Sequence, residues 1–91
     1  MEIAKECEKI LLENGINTQS SIDFEVNGEV ISLRLEYIIE SYMQASQESQ
    51  LVFLRALQKA ASSDALGIEK FFEGMGQLLL MTHLSEKFTT S

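Results

Sequence analysis

The chain has 91 residues, a mass of 10.2 kDa and 45% hydrophobic residues, which is the size and composition of one globular domain over residues 1–91 and not of a disordered tail. Fourteen Asp and Glu against seven Lys and Arg leave a net charge of −7, which excludes a general nucleic-acid binder, because phosphate contacts need surplus cations. A single cysteine excludes a disulfide-stapled scaffold.

In chain order, Ile3, Cys7, Ile10 and Leu11 fall on one face of a first helix. Asn14-Gly15 ends it, with Ile16 placed to fold back on Leu11 in a Schellman stop. After a polar connector over 17–21 the period drops to two. Ile22, Phe24 and Val26 alternate with Asp23 and Glu25, Asn27-Gly28 follows, and a second run holds Val30, Ile31 and Leu33. Asn-Gly between two such runs predicts a hairpin with a type I′ turn. That turn sets Val26 opposite Glu29, Phe24 opposite Ile31 and Ile22 opposite Leu33.

Helical spacing returns with Leu35, Ile38, Ile39, Tyr42, Met43 and Ala45, while Tyr37 faces away from that stripe. Ser46 is placed to cap a third helix running to about Ser62, with Phe53, Leu54, Leu57, Ala60 and Ala61 inward. Asp64 is placed to cap a fourth over about 65–88. The fold class read from this order is α+β and mostly helical: an N-terminal helix, one β-hairpin and three helices bundled on it.

The last helix is apolar on two sides. At 100° per residue, Ile68, Phe71, Phe72, Met75, Leu78 and Leu79 fill a core sector of about 120°. Leu66, Leu80, Met81, Leu84 and Phe88 gather opposite. In so short a chain a second apolar side is expected to meet another copy, so Leu80, Met81, Leu84 and Phe88 are the expected interface of a homo-oligomer, a dimer first of all. Exposed contact candidates elsewhere are Leu12 and Tyr37.

Motifs that carry chemistry are sparse. Asp23-x-Glu25-x-Asn27-Gly28 resembles the start of a calcium-binding loop, but Arg34 stands where the closing Glu is required. Cys7 lies on an apolar face between Glu6 and Glu8, the setting of an inert thiol and not of a nucleophile. His83 is the only histidine, with no partners at metal-ligand or triad spacing. Gly74-Met75-Gly76 lacks phosphate-loop spacing and reads as a flattened helix side or a kink. No catalytic, metal or cofactor residue is therefore expected.

The N-terminus lacks the apolar core of a signal peptide, neither end carries a lipidation motif, and the longest apolar run is Leu78-Leu79-Leu80-Met81. With the lone thiol this gives a cytoplasmic expectation. Residues 1–48 hold ten acids and three bases, whereas 49–91 hold four of each, so the whole acidic surplus is N-terminal. The expected function is that of a small acidic, non-enzymatic protein-interaction protein, acting as adaptor, inhibitor or chaperone. Two alternatives are a ligand-binding or sensor domain with a pocket lined by Phe24, Tyr42, Phe53 and Phe71, and an acidic mimic of nucleic acid.

Overall fold

The computed structural model describes residues 2–62 and 65–89, with side chains described for 2–62 and 66–82. The order is α1 (Ile3–Glu13), β1 (Ser21–Val26), β2 (Glu29–Arg34), α2 (Leu35–Tyr42), α3 (Gln47–Ala61) and α4 (Ala65–Thr89). This is the α+β, mostly helical arrangement that the periodicities predict.

α1 buries Ile3, Cys7 and Leu11. Its end closes with Gly15 at φ +72°. There the Gly15 N–H donates to the Leu12 carbonyl (3.0 Å) and the Ile16 N–H to the Leu11 carbonyl (2.8 Å). Both are Schellman bonds, and they satisfy carbonyls that the helix itself leaves open. The Asn14 side-chain amide takes a third, donating to the Ile10 carbonyl at 2.8 Å.

β1 and β2 pair antiparallel in the predicted register, with Phe24 opposite Ile31 and Ile22 opposite Leu33. The turn has Asn27 at φ +53° and Gly28 at φ +82°, the positive pair that a type I′ turn requires. Phe24 is buried on the inner face while Val30 stands exposed on the outer one. α2 follows β2 with no linker. The first N–H groups of a helix have no partner within it. Here Leu35 N–H donates to the Ser20 carbonyl (2.9 Å) and Glu36 N–H to the Thr18 carbonyl (3.0 Å). The connector thereby anchors the start of α2.

The core lies where the helices meet: α1 packs on α2 and α3, and α4 on α2 and α3. Leu11, Ile38, Ile39, Leu57, Ile68 and Phe72 are almost wholly enclosed. Phe53 stacks on Tyr42 (centroids 5.0 Å apart) and meets the edges of Phe71 and Phe72 at 5.2 and 6.2 Å. The Tyr42 hydroxyl donates to the Met75 carbonyl at 2.9 Å, tying α2 to α4. α3 begins with Ser46 as its cap, the Ser46 Oγ accepting from the Ser49 N–H.

Two expectations are corrected. The second helix ends at Tyr42, so Ala45 falls outside it and is exposed. Its carbonyl, with that of Met43, instead accepts from the Gln50 side-chain amide, each at 2.9 Å. Leu78 does not belong to the core face of α4 and is 55% exposed. The buried row is Ile68, Phe72 and Gly76 at i, i+4 and i+8, which rotates the core sector away from Leu78. Asp64, expected as a cap, lies outside the described residues.

Candidate interaction surfaces

The four residues expected at an interface occupy different settings. Met81 is 59% exposed, and Leu66 and Leu78 stand out on the same helix at 55% each. Leu80 is half-buried and lines a groove between α4 and β1. Leu84 and Phe88 belong to α4; by helical register they follow Met81 at i+3 and i+7, on its face. Their side chains lie outside the described residues, as does that of His83. Between Leu66 and Leu78 the outward side carries Lys70, Glu73 and Gln77, all exposed, so Leu66 stands apart from the apolar residues of the later turns. Leu12 and Tyr37 are also exposed, as expected.

The glycines of Gly74-Met75-Gly76 sit inside an unbroken helix and differ from each other. Gly76 is buried and passes directly under the ring of Phe24, whereas Gly74 faces open space. Only the first brings two elements together, and through it the hairpin docks on α4. The segment that resembles a calcium loop is the hairpin itself, with the Ser32 hydroxyl donating to Asp23 across the strands.

Two grooves lie between β1 and α4. One, of about 450 Å³, has Phe24, Leu80 and Met81 as its apolar surfaces and Asp23, Glu25 and Glu73 as its acidic ones. The other, of about 470 Å³, reaches past β1 to Ile16 of the connector and Leu35 of α2, with Ile22, Ile68 and Phe72 as apolar lining and Glu69 and again Glu73 as acids. Among the described residues that line them there is no Lys, Arg or His. Of the rings expected to share a ligand pocket, Phe24 borders the first groove. Tyr42, Phe53 and Phe71 are instead packed on one another.

Cys7 is fully enclosed. Burial, followed by the charges of Glu8 and Glu6, pushes its thiol from an ordinary 9.0 up to about 11. Burial also raises the Tyr42 hydroxyl above its usual range. The native thiol is therefore expected to resist Ellman's reagent at pH 8 and to react at once in denaturant. The unfolded thiol loses its proton first, so between about pH 9 and 11 the unfolded state holds fewer protons and stability falls as pH rises. The loss is about 2–3 kcal/mol, and comparing urea midpoints of the native chain and of Cys7→Ala across that range isolates it. A flat difference would contradict the burial of this group.

No known protein family, no curated protein and no solved structure matches the chain. No helix among the described residues is long and apolar enough to cross a membrane.

Proposed function

We propose that this protein is a small acidic interaction module without catalytic activity, which self-associates through α4 and acts by binding another protein as an adaptor, inhibitor or chaperone. The observation that carries this reading is the outward apolar stripe of α4. Leu78 and Met81 are more than half exposed, and Leu84 and Phe88 continue the stripe by register. Covering a side chain of this size stabilises by roughly 1.5–3 kcal/mol. A twofold pairing would cover the same stripe on both copies at once. A contiguous stripe of this kind marks a contact site more often than bare surface.

Met81→Glu and Leu84→Glu test the reading. Each is expected to convert the assembled chain to a monomer in sedimentation velocity while leaving the far-UV circular dichroism intact. Assembly that survives both changes places the contact elsewhere. Leu80→Glu is a poorer probe, since Leu80 also borders the hairpin and its loss disturbs that packing. The ligand-pocket alternative has less support, because three of its four rings fill one another's space.

A further inference from the structure

Among the described residues, no other strand covers the outer edge of β1. In a two-residue hairpin the residues flanking the turn exchange both backbone hydrogen bonds, and inward bonding alternates from there. With Val26 opposite Glu29, the residues Val26, Phe24 and Ile22 bond to β2. The series continues at Ser20, whose carbonyl accepts from Leu35. Ser21, Asp23 and Glu25 therefore aim their N–H and C=O groups away from β2, and among the described residues no backbone or side-chain partner meets them.

The first groove runs along this edge and the second adjoins its start. The first touches the consecutive residues 23–27 and no residue of β2, whereas the second meets residues 20–22 together with Gly15, Ile16 and Asn17 before them and Leu35 at the start of α2. A cavity over the sheet face would meet alternate residues of both strands. The first cavity instead flanks the strand's rim, and Glu73 belongs to both. The first groove is thus a trench along residues 23–27, about 17 Å of strand, with α4 as its far wall.

We propose that this trench binds an extended segment of another protein, added as a third strand on β1, in which apolar residues alternate with Lys or Arg. The open backbone groups of Asp23 and Glu25 supply the hydrogen bonds of strand addition. Residues of the incoming strand opposite Asp23 and Glu25 share their outer face, where a cation is favoured. The intervening residues turn inward beside Phe24 and Leu80, where an apolar side chain is favoured. A second copy of β1 fits badly: antiparallel pairing centred on Phe24 sets Asp23 opposite Glu25, and like charges directly opposite destabilise a strand pair.

The inference rests on the reading of the chain as a protein-binding module, and its test is separate from self-association. The probe is an acetylated and amidated octapeptide of alternating Lys and Val, with a Glu-Val octapeptide as control, added to the full ¹⁵N-labelled chain. Saturating Lys-Val peptide is expected to slow exchange of the Asp23 and Glu25 amides by at least about tenfold, leaving the already bonded Phe24 amide unchanged. The exposed double change Glu25→Lys with Glu73→Lys is expected to weaken this binding roughly tenfold and to admit the Glu-Val peptide. No binding up to about 1 mM, or binding that leaves both amides unprotected, overturns the proposal. A dimer that ignores the peptide overturns the trench alone; a monomer that binds it overturns self-association alone.

Discussion

Replacing Phe72 with alanine is expected to destabilise the protein by about 3–5 kcal/mol, the range for an enclosed phenyl ring. Phe72 has no exposed surface and meets both Phe53 and Phe71 edge-on, at 6.2 and 5.4 Å. Its removal would leave a void bordered by α3 and α4, and rings that already interlock cannot collapse into it without giving up their own contacts. A domain of this length has a total stability of only about 5–14 kcal/mol. The loss is therefore visible as a large downward shift of the urea midpoint, with Phe72→Leu falling between. A change below about 1 kcal/mol would mean that the ring is not the centre of the core.

The second large effect separates two neighbouring glycines. Gly74→Ala is expected to stabilise by up to about 1 kcal/mol, because alanine is the better helix former and nothing lies within 4 Å of the added methyl. Gly76→Ala is expected to do the opposite. A Cβ there would stand 2.5 Å from Phe24 Cζ and 3.2 Å from Ile38 Cδ1, so the Phe24 ring that seats the hairpin on α4 must be displaced. Overpacking of this kind costs about 1–3 kcal/mol. Phe24→Leu in the Gly76→Ala background shortens the ring to a branched chain and is expected to recover part of the loss, a coupling that a double-mutant cycle measures. Equal stabilisation by both alanines would remove Gly76 from the contact.

Local chemistry made most of the fold legible in the sequence. Asn27-Gly28 specified its own turn, and a two-residue turn leaves one register, so each cross-strand neighbour followed. Leu11, Gly15 and Ile16 likewise carried the end of α1 within six residues. Leu78 misled for a physical reason: hydrophobic periodicity locates a core face from apolar side chains, and the innermost row of α4 includes a glycine that contributes none. With Gly76 silent, the sector was centred too far toward Leu78. The carbonyls left open by the early end of α2 are met by Gln50, a residue of the next helix, and that pairing is invisible to any local pattern. The trench was hidden for the same reason. That β1 keeps an open edge beside α4 depends on how distant elements pack, and no spacing within residues 21–26 encodes it.

The central claim is that the later turns of α4 present an apolar stripe that a second copy covers. Sedimentation equilibrium of the unmodified chain from about 1 to 100 μM tests it most directly, a range in which micromolar association is resolved. The account predicts a mass rising with concentration toward twice the 10.2 kDa of one chain. A mass that stays at that of one chain throughout would contradict it.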